Sequence, residues 1–250
     1  MRPFVGSLLA VSFVTAVAHG ADRQDQLFAS WEQAQREVRS LVVEFTLQTK
    51  DTIREERHKT EGTFRLIRTR NGKLFASYEA IEKKPNGDGQ ERWSGLLNDG
   101  AVYLLNANQK AAIRFEPVDG DLRGFLEKYF NPFVLLLDRK RADDKSKLEI
   151  VRQDEWYSYL AVNPKQVKRY GWFPDTFHQG RAVFMNKASE SLPKDMPRQL
   201  WYTDGIREYT FEIKAWRLNG TDPPKLEEFA KPEDRPGWEV VEWPSKPQKK

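Results

Sequence analysis

Regular alternation of apolar and polar side chains, interrupted by turn dipeptides, runs through this chain from residue 41 to residue 218. A period of two residues is typical of strands with one face buried and the other in water. Turn pairs such as Asn71-Gly72 and Asp204-Gly205 favour the positive backbone angles of tight hairpins, so consecutive strands should be antiparallel neighbours. The pattern therefore predicts a mainly antiparallel sheet arranged as a meander.

Eleven strands are predicted from this alternation, with bounds defined to about three residues. They cover residues 42–50, 60–69, 73–82, 90–97, 101–106, 111–116, 147–152, 155–162, 181–186, 198–203 and 206–218. In the last strand the inward row is predicted to be Tyr209, Phe211, Ile213 and Ala215. A sheet with one apolar face packs against a second sheet or is closed by helices that can leave a cavity, and that choice bears on function.

Two segments have the pattern of helices rather than strands. Apolar residues spaced by four or three positions predict an N-terminal helix of about five turns. They are Leu27, Trp31, Ala34, Val38 and Leu41. A helical insertion is predicted before the seventh strand, where Asp121 caps residues 122–130 and Asn131 caps a second, strongly apolar helix. That second helix fills the core of the sheet or lies as a lid over a ligand cavity, and the two arrangements are compatible.

The first twenty residues have the composition of a secretory signal, with Arg2, an apolar stretch, and Ala18 and Gly20 at the positions that a signal peptidase inspects. Cleavage after Gly20 is expected, which would place the mature protein in the periplasm or outside the cell. Residues 21–220 are long enough for one large domain. Residues 221–250 hold six of the fourteen prolines, which predicts an extended C-terminal arm held to the body by its tryptophans.

Composition and motifs argue against several classes of function. Basic and acidic side chains number 41 and 37 and are interleaved, so no stripe for nucleic acid is visible outside the short tail 246–250. The chain has no cysteine, and only His58 and His178 follow the signal, which is too few for a metal site. It contains no nucleophile elbow, P-loop or dinucleotide glycine motif. We therefore expect no enzymatic activity, no cofactor and no bound metal.

After the amphipathic first helix, five segments follow one another in a distinctive order. They are SLVVEFTLQT (40–49), EGTFRLIR (61–68), NDGAVYLLNANQKAAIRF (98–115), NPFVLLL (131–137) and PRQLWYTDGIREYTFEIKAWRLN (197–219). In this order the chain resembles LolA-like proteins over residues 24–219. That superfamily includes the periplasmic lipoprotein carriers LolA and LolB and the sensor domains of the regulator RseB. The shared features are patterns of hydrophobicity rather than catalytic residues.

The resemblance implies an α+β fold that is mainly antiparallel β. It implies a curved sheet or half-barrel of about eleven strands, wrapped around or capped by the N-terminal helix and the helical insertion, with a hydrophobic cavity that accepts acyl chains. In LolA an arginine at the end of the second strand latches the lid, and the matching position here is Arg68. Thr69 stands where the carrier has proline, and if the strand has the opposite register Arg68 is an exposed strand end.

The predicted ligand contacts are apolar residues of the inward rows and of the insertion, together with the arginine that matches the latch. They are Phe45, Leu47, Phe64, Leu66, Arg68, Tyr103, Phe133, Leu136, Trp201 and Phe211. We expect an exported, monomeric carrier of a hydrophobic ligand, such as lipoprotein acyl chains, with transient membrane contact. An RseB-like sensor or scaffold that binds an envelope protein is the alternative. A third interpretation is carbohydrate binding through the aromatic loop at 165–180.

Overall fold

The part of the chain that the structure describes folds into one open, twelve-stranded sheet rather than a two-sheet sandwich. The computed structural model describes residues 23–30, 33–34, 36–83, 90–98, 100–115, 148–162 and 179–243. The strands are β1 (Ser40–Asp51), β2 (Arg57–Arg68), β3 (Leu74–Lys83), β4 (Gln90–Asn98), β5 (Ala101–Asn106), β6 (Ala111–Phe115), β7 (Leu148–Gln153), β8 (Tyr157–Val162), β9 (Gln179–Met185), β10 (Pro197–Thr203), β11 (Arg207–Leu218) and β12 (Glu239–Glu242). Two 3-10 turns, Leu226–Phe229 and Pro232–Asp234, precede β12. The eleven predicted strands are thus confirmed.

Across the sheet the order of strands is β12-β6-β5-β4-β3-β2-β1-β11-β10-β9-β8-β7. Strands β1 to β6 and strands β7 to β11 each form an antiparallel meander, as the turn dipeptides predict. A single continuous meander is wrong, because β1 pairs with β11 at the centre and places β6 and β7 on opposite halves of the sheet. Both central strands are twelve residues long, and their pairing runs from Leu41 opposite Leu218 to Asp51 opposite Arg207.

The C-terminal arm returns to the sheet as β12, which the sequence did not predict. β12 runs parallel to β6, with Val240 opposite Ala112 and Val241 opposite Ile113. Its four residues are too few for alternation to be recognised, and the prolines around it favour an arm without a strand. One parallel strand therefore ends a sheet whose other described pairings are antiparallel.

A β-bulge in β11 changes which of its side chains face the core. The pairing of β1 with β11 shifts register at Lys214, which is the extra residue. The predicted inward row is right as far as Ile213, but the bulge reverses the parity of the residues that follow. Beyond it, Trp216 packs in the apolar cluster at the place where the alternation predicted Ala215. The bulge thus keeps apolar side chains directed to one face along the whole strand.

Apolar clusters lie on both faces of the sheet, which we call the inner face and the outer face. The inner face carries the larger cluster, including Val43, Phe45 and Phe64, and Leu27 and Phe28 of the N-terminal segment pack on it. These side chains are between 0% and 2% exposed. Burying a large apolar side chain contributes about 1.5–3 kcal/mol, so this cluster is the main source of stability.

On the outer face a smaller cluster lies beneath the C-terminal arm. It includes Leu96, Tyr103 and Ala112 of the sheet and Phe229 of the arm, whose side chain is fully buried. The ring centroid of Phe229 lies 6.3 Å from that of Phe75, and the side-chain amide of Asn98 donates to the Phe229 carbonyl over 2.6 Å. The arm is therefore fixed to the sheet by apolar packing and by a side-chain hydrogen bond.

Helical backbone is described at residues 23–30, 33–34 and 36–37. Trp31 lies outside the described residues, so the predicted five-turn helix stays a prediction. The predicted insertion at 121–137, the aromatic loop at 165–178 and the predicted signal at 1–20 also lie outside the described residues.

Arg23 anchors the start of the helical segment beside the ends of β8 and β9. Its Nη2 lies 2.5 Å from Asp195 Oδ1 and 2.9 Å from Asn186 Oδ1. Only 13% of the Arg23 side chain and 12% of the Asp195 side chain are exposed. Asn186 also accepts a hydrogen bond from Ser158, a fully buried residue of β8. Because a partly buried charge pair needs good geometry, these contacts fix where the segment begins on the sheet.

Gly62 of β2 is predicted to be intolerant of a side chain. A Cβ added there would lie 2.4 Å from Phe45 Cζ and 2.6 Å from the carbonyl oxygen of Glu79. We expect Gly62→Ala to lower the free energy of unfolding by about 1–3 kcal/mol, because a packed core resists an added methyl group. Denaturant titration measures this, with Gly220→Ala as control, since nothing lies within 4 Å of a Cβ there. Equal stability of the two variants would contradict the packing described.

Candidate functional site

Five aromatic rings form a continuous row across the inner face, from β3 to β10. We call it the aromatic row, and in order it consists of Tyr78, Phe45, Phe211, Tyr202 and Tyr209. Successive ring centroids are 5.8, 6.2, 6.5 and 4.6 Å apart. Rings at such distances attract one another beyond the gain from burial alone. The row therefore packs continuously across the junction between the two meanders, and Phe45, Phe211 and Tyr202 within it are 1%, 6% and 8% exposed.

Local sequence explains how the row crosses β2 without an aromatic residue in that strand. Gly62 lies opposite Phe45 in the β1–β2 pairing, and its missing side chain leaves room for the ring. The Phe45 ring passes over Gly62 and stacks on Tyr78 of β3, with an angle of 17° between the ring planes. On the other side, Tyr202 lies directly opposite Tyr209 in the β10–β11 pairing, which brings their rings face to face.

Five of the predicted ligand contacts lie together on the inner face. They are Phe45, Leu47, Phe64, Leu66 and Phe211. Arg68, at the end of β2, lies on the same side of that strand as Phe64 and Leu66. It pairs with Leu74 of β3, another residue of the inner cluster. Its backbone N–H donates to the carbonyl of Arg39 over 2.7 Å, and the residue is half-buried. Of the two alternatives that the sequence left open for Arg68, the structure shows the one in which this residue faces the inner side of the sheet.

Tyr103 and Trp201 lie on the outer face, and predicting them beside the other contacts was wrong. Val102 belongs to the inner cluster, so alternation directs Tyr103 outward, where its hydroxyl donates to Glu233 Oε1 over 3.0 Å. Trp201 lies between Leu200 and Tyr202, which both face inward, and the Arg181 guanidinium lies 5.4 Å from its ring centroid. Phe133 and Leu136 lie outside the described residues. The prediction assigned the wrong alternate residues of these strands to the inner face. A shift of one residue along a strand is enough for this error, because it moves every side chain to the other face.

Sequence reasoning missed three members of the row, the tyrosines at 78, 202 and 209. Tyr209 stood in the predicted inward row of the last strand without being assigned a ligand role. For Tyr202 the usable signal was its place opposite Tyr209 across the Asp204-Gly205 turn. That turn sets the register of the hairpin, and the register directs Tyr202 rather than Trp201 to the inner face.

Burial shifts the tyrosine hydroxyls of the row away from their ordinary proton affinity. It raises the pKa of Tyr78 to about 12, and it raises the pKa of Tyr202 as well. Both hydroxyls are therefore neutral near pH 7, since an exposed tyrosine already titrates only near pH 10. A surface of neutral rings is suited to contact with an apolar ligand rather than to proton transfer. Within the described ranges, no cluster of three or more His, Asp or Glu side chains could hold a metal ion.

An exposed apolar patch lies on the same face at the β6–β12 edge. Its members Ile113, Val241 and Trp243 are 37%, 63% and 60% exposed. Val241 lies opposite Ile113, and the ring of Trp243 lies 6.1 Å from that of Phe115, which packs against the inner cluster. We call this the edge patch. Of the helical residues that the structure describes, none belong to a helix long and apolar enough to span a membrane.

Comparison with solved structures finds similar folds at low identity. LprF from Mycobacterium bovis is 12% identical with a TM-score of 0.45, covering 82% of this chain and 97% of that protein. An uncharacterized conserved protein from Thermus thermophilus is 11% identical with a TM-score of 0.46, covering 88% and 99%. A putative outer membrane lipoprotein-sorting protein domain from Vibrio parahaemolyticus is 9% identical with a TM-score of 0.34, covering 81% and 94%.

No family model and no curated protein matches the chain.

Stability is predicted to fall between pH 10 and pH 12, in part because of Tyr78. Its pKa is about 12 in the folded protein and near 10 in an unfolded chain, so the folded state binds more protons in that window. The free energy of unfolding must then decrease as pH rises. We expect Tyr78→Phe to make this decrease shallower, as measured by urea unfolding at several pH values. An unchanged slope would contradict burial of the hydroxyl.

Proposed function

We propose that this protein is a non-enzymatic carrier that holds an acyl chain of a lipid or lipoprotein against its inner face. The observation that supports this most directly is the aromatic row, a continuous surface of neutral rings within one apolar cluster. The row carries no charged group and presents mostly ring carbon, with three tyrosine hydroxyls as its polar groups, so it suits a flexible hydrocarbon chain. The proposal concerns the described inner face, and it does not depend on where the predicted helical lid lies.

The width of the sheet favours a ligand on the inner face. Strands lie about 4.8 Å apart, so twelve of them span roughly 50 Å, whereas one helix with its side chains covers about 10 Å. The described N-terminal helical residues can therefore cover only a small part of the apolar face. Because Phe45, Phe211 and Tyr202 are only 1%, 6% and 8% exposed, an acyl chain on the row would take the place of protein groups that now cover these rings. Burial of a chain of about 16 carbons would contribute at most roughly 12 kcal/mol before the costs of ordering.

Exposure along the row indicates where a chain would first make contact. Phe45 is only 1% exposed, whereas Leu47 and Tyr209 are half-buried. Beyond them lie the turns after β1 and β10, which carry Ile53 and Ile206 at 77% and 53% exposure. These turns are joined by a hydrogen bond of 2.8 Å between the Thr52 N–H and the Ile206 carbonyl. We place the entry for the acyl chain at this end of the sheet.

The location of the protein and its partners are further parts of this proposal. An exported, periplasmic or secreted protein would meet lipids and lipoproteins at the cell envelope. Transient contact with a membrane, for which the edge patch is a suitable surface, stays a prediction, as does the monomeric state. The RseB-like alternative, in which the same fold binds an envelope protein, makes no use of a hydrocarbon ligand and can be separated from the carrier by experiment.

Binding of a fluorescent fatty acid tests the proposed function. We expect saturable binding that Tyr209→Ala weakens roughly tenfold, because the variant removes one ring of the row and its stacking partner for Tyr202. Trp201→Ala is the matched control: it removes a ring of similar size from the neighbouring strand, but on the outer face, so the affinity should not change.

Two results would contradict the carrier. One is the absence of saturable fatty-acid binding together with the absence of lipid in native mass spectra of protein from the exported fraction. The other is an equal loss of fatty-acid affinity in Tyr209→Ala and Trp201→Ala, which would show that the ligand does not bind specifically to the inner face. Retention of one stoichiometric protein without lipid would favour the sensor or scaffold instead.

A further inference from the structure

Two adjoining clefts lie on the outer face, between the sheet and the C-terminal arm. Their volumes are about 630 Å³ and about 330 Å³, and the first is within the range of small-molecule sites. Arg65 and Glu228 belong to the walls of both, so they stand where the clefts meet. The clefts open on the outer face, whereas the rings of the aromatic row pack on the inner face, although Tyr78 also borders the smaller cleft. The clefts take no part in the proposed carrier function.

The wall that the arm contributes is held in place by specific contacts. Fully buried Phe229 anchors the arm next to Glu228. The carboxylate of Glu228 accepts a hydrogen bond of 2.7 Å from the backbone N–H of Lys225, which orients it toward the sheet. At the other end, the Arg235 guanidinium donates to the carbonyl of Ala230 over 2.8 Å. These contacts fix residues 221–238 of the C-terminal arm, which we call the strap, against the sheet. The strap thus forms one wall of the clefts.

Arg65 has unused hydrogen-bonding capacity at the junction. Its Nη1 lies 3.7 Å from Glu79 Oε2 and its Nε lies 3.7 Å from Glu228 Oε2, both too long for hydrogen bonds. In the part of the chain that the structure describes, its guanidinium makes no hydrogen bond, and 30% of the side chain is exposed. Arg217 differs, because its Nη2 donates to Glu44 Oε1 over 2.6 Å. A guanidinium has five N–H donors, so Arg65 can still bind an anion.

The charge of the lining also favours an anion. The basic side chains that line the two clefts are Arg65, Arg92, Arg217, Lys225 and Arg235. The acidic side chains are Glu79, Asp222 and Glu228. Basic side chains thus exceed acidic ones by two in the lining of the clefts, which attracts a negative group, although Glu79 and Glu228 flank Arg65 itself at 3.7 Å. Hydroxyls of Ser40, Ser94 and Thr221 add polar groups to the walls.

We propose that the junction of these clefts binds a small polar ligand through an oxyanion, a carboxylate or a phosphate, with Arg65 as its principal contact. A guanidinium fork binds both groups through two parallel hydrogen bonds. The oxyanion approaches the edge of the guanidinium at Nη2, which neither of the long ion pairs with Glu79 and Glu228 involves, because the N–H donors lie in the plane of the group. The ligand extends along the larger cleft, beneath the strap.

Titration of the isotopically labelled full chain with inorganic phosphate, and separately with acetate, tests the proposal by NMR at constant ionic strength. We expect saturable shifts of the amide signals of residues 220–228. Arg65→Gln should weaken binding at least tenfold, and Arg65→Lys should restore part of it, because the charge remains and the fork is lost. The more tightly bound anion identifies the oxyanion class.

Arg152→Gln is the control, since Arg152 is an exposed arginine on β7 whose guanidinium lies over Tyr159, away from the clefts. Its titration should match that of the unmodified protein. The proposal is overturned if shifts rise without saturation, or if Arg65→Gln and Arg65→Lys both bind as tightly as Arg152→Gln. Fatty-acid binding by Arg65→Gln should stay unchanged, so failure of this site and failure of the carrier are distinguishable.

Discussion

The pairing of β1 with β11 is the constraint on which the rest of the structure depends. These two strands are far apart in the sequence but adjacent at the centre of the sheet, and they join two meanders that would otherwise be separate small sheets. Their pairing extends over eleven residues of β1, and it places Phe45 of the first meander within ring contact of Phe211 of the second. The bulge at Lys214 keeps apolar side chains of β11 directed to the same face on both sides of the register shift. Without this junction there would be no continuous inner face and no aromatic row.

The two faces of the sheet differ in chemical character. The inner face is lined by apolar side chains and neutral rings, whereas the outer face carries ion pairs such as the one between Arg217 and Glu44. Before it joins the sheet as β12, the C-terminal arm crosses the outer face, where Phe229 anchors it and polar clefts remain beside it. A single layer of strands can therefore present a hydrocarbon-binding surface on one side and a charged surface on the other.

Sequence periodicity was sufficient to predict the individual strands but not their order in the sheet. Hairpin dipeptides and period-two alternation are local signals, so they located eleven strands and their antiparallel neighbours. The junction of β1 with β11 is a long-range choice that no local pattern encodes, and β12 is too short to produce a pattern. Of the predicted ligand contacts, Leu47 and Phe64 lie on the inner face, whereas Tyr103 lies on the outer face because alternation in its strand directs it there. Trp201 lies on the outer face for the same reason, and contact of any of these residues with a ligand stays a prediction.

A nitroxide-labelled fatty acid would test the central claim most directly, because its unpaired electron broadens NMR signals of nearby groups. If an acyl chain lies along the aromatic row, ring signals of Tyr209, Tyr202 and Phe211 should lose intensity at saturating ligand. Signals of Phe229 and Trp238, which lie on the outer face, should keep theirs. Broadening that is stronger on the outer face, or equal on both, would contradict the account.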